Sequence, residues 1–391
     1  MSSPKKVGGE VGEVRANIDG DKLNAYLKTH VPAVATPVTI KQFKFGQSNP
    51  TYFLTDANSQ RFVLRKKPAG QLLSKTAHQV EREYTMLRAL HVHNTNRSTP
   101  PEKRVPIPEP IVLCEDVAVI GTPFYIMEFL DGRIFTDPRM PEVPAQARRE
   151  CWLDAARVLA KLSLLSPSSL GLSSFASPKP YFPRQIKSLS AVSSAQAQAV
   201  DVDTGKRTGD IPRFEEIVAW YQSHLPDESK TGSRIVHGDY KLDNLVFHPT
   251  ENRVIGILDW ELCTLGSPLA DLANFTQPWA ISPDSFPSNG IVMAAFKNNV
   301  KEAPIELEAL EREYCHISGQ PHPIPEMVFA RSWMLFRSAV IMQGIAARYA
   351  RRQASSERAH TYVVGFPYMG HLAHKTLVEA GAMSESEKAK L

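Results

Sequence analysis

At 391 residues, of which 42% are hydrophobic and 22% charged, the chain has ordinary globular composition and exceeds one compact domain, so a bilobal enzyme or two packed domains is expected. Its 45 basic and 41 acidic residues leave a net charge of +4 without any long Lys/Arg block, which argues against nucleic-acid binding and suits a small anionic substrate. Cys114, Cys151, Cys263 and Cys315 show no CxxC spacing, so no zinc site or disulfide framework is expected, and no apolar run reaches the roughly 18–20 residues of a membrane span.

Residues 1–20, rich in glycine and charge, are expected to form a flexible leader, followed by an N-terminal lobe over 21–130 whose first helix begins at Asp21–Tyr26. The stretches VTIKQFKF, GQSNPTYFLTD and SQRFVLRKKP show partial period-2 alternation between polar turns, which predicts an antiparallel meander. In HQVEREYTMLRALHVH, Val80, Tyr84, Leu87 and Leu90 recur at helical spacing. PEKRVPIPEP breaks this helix, and IVLCEDVAVIGTPFYIMEFLDG reads as two further strands joined at Gly121-Thr122, giving five strands and one main helix.

From 131 to 380 a mainly helical lobe is expected, with helices over 146–165, RFEEIVAWYQSHLP, 291–299, 303–316 and 326–349. In the last of these, Phe329, Trp333, Phe336 and Val340 share a face suited to core packing. Residues 189–209, LSAVSSAQAQAVDVDTGKRTG, are small and polar and predict a mobile excursion. Residues 381–391 form a polar tail.

The stretch IVHGDYKLDNLVFHPTENRVIGILDWE, Ile235–Glu261, places acids and an amide beside apolar runs. A hairpin of Leu245–Phe247 and Val254–Leu258 around HPTEN brings Asn244 and Asp259 to one cavity, with Asp239 in the preceding loop. Such hard-oxygen groups suit Mg2+ and the activation of an alcohol. His237-Gly238-Asp239-Tyr240-Lys241-Leu242-Asp243-Asn244, followed by Ile257-Leu258-Asp259-Trp260-Glu261, resembles the catalytic and metal motifs of the aminoglycoside phosphotransferase-like family, relatives of protein kinases and choline kinases. The resemblance covers roughly residues 40–350. It implies an α+β, protein-kinase-like bilobal fold with a small antiparallel-sheet N-lobe and a mainly helical C-lobe, and ATP and Mg2+ as cofactors. By the same resemblance Asp239 is the catalytic base, His237 orients its loop, Asn244 and Asp259 are magnesium ligands, and Glu261 is a further polar member of the site.

In FVLRKKP, alternation puts Val63, Arg65 and Lys67 on one face of a strand and Phe62, Leu64 and Lys66 on the other. The resemblance favours Arg65 where protein kinases use lysine and Glu83 as its partner; Lys66 and Glu81 are the alternatives for the two places. FGQSNP resembles the nucleotide-covering loop, with Gly46, Ser48 and Asn49 presenting amide and side-chain groups. FYIMEFLDG resembles the strand-to-hinge passage, with Met127, Glu128 and Phe129 beside adenine. Asp271, in SPLADLANF, is expected to brace the catalytic loop.

FVLRKKPAG, VEREYTMLRAL, YIMEFLDG and RSWMLFRSAVIMQGIAAR resemble the kinase region fused to acyl-CoA dehydrogenases in animals. This resemblance implies phosphorylation of a hydroxyacyl-CoA, notably a 4-hydroxy species, with any dehydrogenase partner a separate chain. Arg184, Gln185 and Arg337 are candidate substrate-side groups, with a lid anchor and helix-surface charges as their alternative roles. Ala389-Lys390-Leu391 is a variant of the peroxisomal address, which predicts an import receptor as partner and the peroxisomal matrix as location, with the cytoplasm as alternative. The other functional readings are a kinase of an aminoglycoside, choline or sugar-like alcohol, and a nucleotide-binding pseudokinase module.

Overall fold

The computed structural model describes residues 11–12, 18–43, 49–68, 79–285, 293–354 and 358–384. Gly46, Ser48 and the terminal tripeptide lie outside the described residues. The chain divides into two compact units.

The first unit comprises Met1–Ser174 and Lys241–Cys263. Among its described residues is a six-stranded sheet of β1 (Val11–Gly12), β2 (Thr39–Phe43), β3 (Thr51–Thr55), β4 (Arg61–Lys66), β5 (Pro110–Cys114) and β6 (Phe124–Glu128), in the order β1-β2-β3-β4-β6-β5 and antiparallel throughout. The five expected strands are present, and β1 adds an edge from within the stretch expected as a leader, Val11 opposite Phe43. Helix α1 (Gly20–His30) starts where the Asp19 carboxylate accepts from the Lys22 backbone N–H at 3.0 Å, a side-chain N-cap. Its Leu23 and Leu27 join Tyr52, Leu54, Phe62, Leu64, Phe124 and Ile126 in one apolar cluster. The alternate residues Val63, Arg65, Tyr125 and Met127 are buried as well, and α2 (Val80–Thr95) packs on β5 and β6. The short helix α3 (Val117–Ile120) fills the connection from β5 to β6.

The predicted hairpin belongs to this unit. β8 (Leu245–Phe247) pairs with β9 (Val254–Ile257), Leu245 opposite Ile257. Helix α4 (Ala145–Leu164) anchors the hairpin, since the Val254 N–H donates to the Asp154 carboxylate at 2.7 Å. On the segment after β6, Arg133 bridges to Phe247. Two glycines allow this contact: a Cβ on Gly132 would lie 2.3 Å from the Phe247 carbonyl oxygen, and one on Gly256 would lie 2.0 Å from Leu130 Cδ1.

The second unit comprises Phe175–Tyr240 and Thr264–Leu391. It contains α5 (Tyr181–Ala197), α6 (Phe214–Ser223), α7 (Leu269–Phe275), α8 (Leu307–Ser318), α9 (Met327–Ala350) and α10 (Thr361–Glu379), with β7 (Arg234–Val236) antiparallel to β10 (Thr264–Gly266). α9 supplies the core: Phe329, Trp333, Phe336 and Val340 are buried, and the Trp333 ring meets Tyr181 and Phe182 edge-on.

The fold departs from two expectations and adds one helix. The stretch 189–209 does not leave the fold at Leu189, because α5 continues to Ala197. Its small polar residues serve close helix packing: Ser193 Oγ bonds Gln343 Oε1 at 2.7 Å, and a Cβ on Gly344 would sit 2.5 Å from Gln196 Nε2. The following loop is closed by the Val200–Arg207 bridge and pinned by Arg352 to Asp201 and Asp203. No helix forms over the described part of 291–299, where the Phe296 and Lys297 N–H groups bond the Pro278 and Ile281 carbonyls at 2.8 and 3.0 Å. The added helix is α10, which runs through Gly365, Pro367 and Gly370, residues that ordinarily punctuate a helix. It lies along α9, with Ser332 Oγ donating to the Ala373 carbonyl at 2.7 Å, and Gly370 admits Ile211 where a Cβ would come within 2.5 Å. Among the described residues no helix is long and apolar enough to cross a membrane.

Candidate functional site

In the first unit the candidate residues converge on Arg65. Its guanidinium lies 3.3 Å from Glu83, 2.6 Å from Asp259 and 3.1 Å from Glu261. Glu83 also accepts from Asn49 Nδ2 at 2.8 Å and from the Tyr125 hydroxyl at 3.0 Å. Of the alternatives, Lys66 turns to the other face and donates to the Ile120 carbonyl at 3.3 Å, while Glu81 pairs with Lys67 at 2.5 Å. Tyr125 is a member that sequence reasoning missed; its signal was the register that sets it opposite Arg65.

Three carboxylates share this one guanidinium. Burial pushes Glu83 up to about 7 against the pull of Arg65, with Asp259 and Glu261 adding to the rise. Burial alone would pull Arg65 down, yet Glu83, Tyr125, Asp259 and Glu261 together hold it above its ordinary value. The rise at Glu83 favours a neutral acid and the rise at Arg65 favours a charged pair; the cationic Arg65 is the firmer of the two, because guanidinium stays protonated in proteins. The surplus negative charge lies on the carboxylates.

Asp259 is one-third exposed, and its φ of 63° is in the left-handed region that Asp tolerates better than most residues. Asn244 is brought beside it by the hairpin: the Leu258 N–H donates to the Asn244 carbonyl at 2.8 Å. Near the end of β6, Met127 is buried and the Phe129 ring packs edge-on against Phe53 at 5.0 Å beneath the Arg61 guanidinium. Both the backbone N–H and the carboxylate of Glu128 are tied to Glu109, at 2.9 and 3.1 Å.

In the second unit the loop after β7 carries His237, Gly238 and Asp239. Asp271, fully buried on α7, accepts from the His237 N–H at 2.6 Å and from the Gly238 N–H at 2.8 Å, the bracing expected of it. The Asp239 N–H donates to His237 Nδ1 at 3.2 Å, which assigns the proton of a neutral imidazole to Nε2. Asn274 Nδ2 donates to the Tyr240 carbonyl at 3.1 Å. Of the candidate substrate-side groups, Arg184 donates to the Lys179, Pro180 and Leu265 carbonyls, Arg337 donates to the Gly238 carbonyl at 2.8 Å, and Gln185 is half-buried on α5.

With this geometry in place, the sequence pattern of the phosphotransferase enzyme family matches residues 39–321. The chain belongs to this family. A Ralstonia eutropha JMP134 protein provisionally assigned as an aminoglycoside phosphotransferase superposes on this phosphotransferase with a TM-score of 0.75 at 32% identity, covering 93% of this chain and 99% of that one. The probable acyl-CoA dehydrogenase IBR3 of Arabidopsis thaliana is 36% identical over 361 residues, 91% of this chain and 40% of its own length. Acyl-CoA dehydrogenase family member 10 of Mus musculus is 37% identical over 345 residues, 88% of this chain and 30% of its own length. The phosphotransferase thus spans well under half of these two relatives.

The use of ATP and Mg2+ is typical of the family, and the donor set fits the ion. Asn244 and Asp259 offer one amide and one carboxylate oxygen beside a carboxylate cluster with surplus negative charge. Among the described residues no group of three His, Cys, Asp or Glu side chains forms a closed metal site, whereas an open pair of hard-oxygen donors suits Mg2+, which completes its shell with phosphate oxygens and water.

Proposed function

We propose that this phosphotransferase moves the γ-phosphoryl group of ATP to the hydroxyl of a hydroxyacyl-CoA, with a 4-hydroxyacyl-CoA as the acceptor class. The observation that carries the kinase reading is the Arg65 cluster, in which a buried cation is held by Glu83 and by two acids at the end of the hairpin that also bears Asn244. In this reading Arg65 grips nucleotide phosphate, the segment Met127–Phe129 lies against the base, and Asn244 and Asp259 hold Mg2+, which would neutralise charge on the phosphates.

Asp239 receives the proton as the acceptor oxygen attacks. The oxygen forms a bond to the γ-phosphorus, the bond from that phosphorus to the β–γ bridging oxygen breaks, and ADP leaves with the electron pair. His237 holds the Asp239 backbone N–H and so sets the direction of the carboxylate.

The acyl-CoA assignment is supported by relatives named as acyl-CoA dehydrogenases, which share this region, and by a net charge of +4 that suits a polyanionic ester. The dehydrogenase activity in those names is not carried over to this chain. A second reading, a kinase of an aminoglycoside, choline or sugar-like alcohol, is favoured by the structural likeness to the Ralstonia protein.

Mass spectrometry of products made from ATP, MgCl2 and a mixed panel separates these readings. The panel holds 3- and 4-hydroxyacyl-CoAs, free hydroxy acids, choline, sugars and an aminoglycoside. Phosphorylated 4-hydroxyacyl-CoA is the expected product; transfer confined to choline, a sugar or the antibiotic would remove the acyl-CoA assignment and leave the kinase.

A further inference from the structure

The peptide plane joining Gly238 to Asp239 is held at both ends. Its carbonyl oxygen accepts from the Arg337 guanidinium at 2.8 Å, and its N–H donates to His237 Nδ1 at 3.2 Å. The two N–H groups before it, of His237 and Gly238, both end on the Asp271 carboxylate. Gly238 has a φ of 87°, a conformation that glycine adopts without strain and other residues rarely do. Arg337 comes from the middle of α9, the helix that supplies the unit's core, and its other terminal nitrogen points to Met334 Sδ at 3.8 Å. A substrate-side role and a helix-surface charge were its alternative expectations, and one terminal nitrogen is committed to the loop.

We infer that Arg337 is a positioning residue for Asp239, fixing the Gly238–Asp239 peptide from α9 so that the carboxylate keeps one direction toward the acceptor. The inference rests on the proposed kinase reading and deepens it. Of these four hydrogen bonds, three are made by residues of the loop itself or of α7. The fourth, from Arg337, reaches the loop from α9 and grips the carbonyl of the peptide that begins Asp239. Releasing that carbonyl leaves Asp239 φ free to change, and rotation about the Asp239 N–Cα bond turns its side chain away from one fixed direction. A displacement of about 1 Å in a reacting group costs on the order of 100-fold in rate. Loss of Arg337 should therefore act on turnover rather than on nucleotide affinity.

The test compares wild type, Arg337→Lys, Arg337→Ala and Asp239→Asn. Turnover is measured with 4-hydroxyacyl-CoA as acceptor and, in parallel, as phosphate release to water. ATP affinity is measured by calorimetry in MgCl2, and amide hydrogen exchange is followed in the peptide covering 235–241. For Arg337→Ala we expect kcat to fall about 10- to 100-fold, ATP affinity to stay within about threefold, and exchange in the loop peptide to rise about tenfold. Arg337→Lys, which can still donate to the carbonyl, should recover most of both losses, and added methylguanidinium should restore part of the Arg337→Ala turnover.

An Arg337→Ala protein with wild-type kcat or wild-type loop exchange overturns the inference, as does a loss of kcat matched by an equal loss of ATP affinity. If Arg337→Ala unfolds, Arg337→Lys and the wild-type exchange pattern decide: strong protection at Asp239 in wild type that Arg337→Lys preserves supports it, and an unprotected Asp239 amide ends it. Unchanged turnover in Asp239→Asn removes Asp239 as the proton acceptor, and a wild type with no transfer to either acceptor removes the acyl-CoA assignment; in both cases the exchange arm decides alone whether Arg337 holds the loop.

Discussion

Arg65 is one cation set among three acids, and this imbalance decides what its removal does. Arg65→Ala would leave Glu83, 1% exposed, without its counter-ion, and breaking a buried pair by removing one partner costs roughly 3–5 kcal/mol. Equilibrium denaturation should show that loss, with Arg65→Lys intermediate because a single ammonium cannot reach several carboxylates in a planar fork. A loss under about 1 kcal/mol would mean that Glu83 takes up a proton when Arg65 is gone and leaves no unpaired charge. Strand alternation in FVLRKKP told Arg65 from Lys66 by face but not which face meets α1, since that depends on Leu23 and Leu27 arriving from elsewhere in the chain. Tyr125 escaped for a similar reason: only the pairing of β4 with β6 places its ring beside Arg65. The cysteines make a second residue-scale case. All four are buried, and burial pushes Cys151 and Cys315 both up to about 11. Ellman's reagent should therefore leave the folded protein largely unlabelled near neutral pH and react fully in denaturant; rapid labelling of the native protein would contradict this burial.

The β8–β9 hairpin is the element that carries Asn244 and Asp259, and its seating depends on Gly132 and Gly256. Gly132→Ala would drive a Cβ into the Phe247 backbone oxygen at 2.3 Å, which cannot turn aside, whereas Gly256→Ala meets the tip of the Leu130 side chain, which can. Overpacking of this kind costs about 1–3 kcal/mol, and Gly132→Ala should lie at the upper end with a raised KM for ATP. Thermal unfolding and steady-state kinetics of the two variants provide the check, and a reversed order would show that the hairpin yields more readily than the side chain. The hairpin was legible because two short apolar runs flank a polar turn. α10 was not, because Gly365, Pro367 and Gly370 are punctuation in a sequence, whereas in the fold Gly370 gives room to Ile211 and Ser332 of α9 bonds the Ala373 carbonyl. The end of α5 misled in the same way: serines and alanines that look like a loop are what a helix needs to sit close to Gln343 and Gly344.

At the scale of the whole molecule, the order of elements followed from hydrophobic period and turn residues, and the family from the spacing of Asp239, Asn244 and Asp259. The Asp271 brace was expected, whereas the bonds from Arg337 to the loop and from Asp154 to the hairpin join segments distant in the chain and were visible only in the fold. Nucleotide binding should appear as a property of the entire protein, since a ligand that binds only the folded state at 100 times its Kd adds about 2.7 kcal/mol of stability. ATP with MgCl2 should raise the unfolding temperature, and EDTA should remove most of that gain; an equal shift with EDTA would argue against Asn244 and Asp259 as magnesium ligands. The most direct measurement of the central claim is the rate of phosphorylated product formation by Asp239→Asn beside its calorimetric affinity for ATP in MgCl2, with 4-hydroxyacyl-CoA as acceptor. Loss of the proton acceptor should lower turnover by about 10²- to 10⁴-fold while ATP affinity stays within a few-fold of wild type. Turnover equal to wild type, or a fall in affinity as large as the fall in rate, would contradict the account.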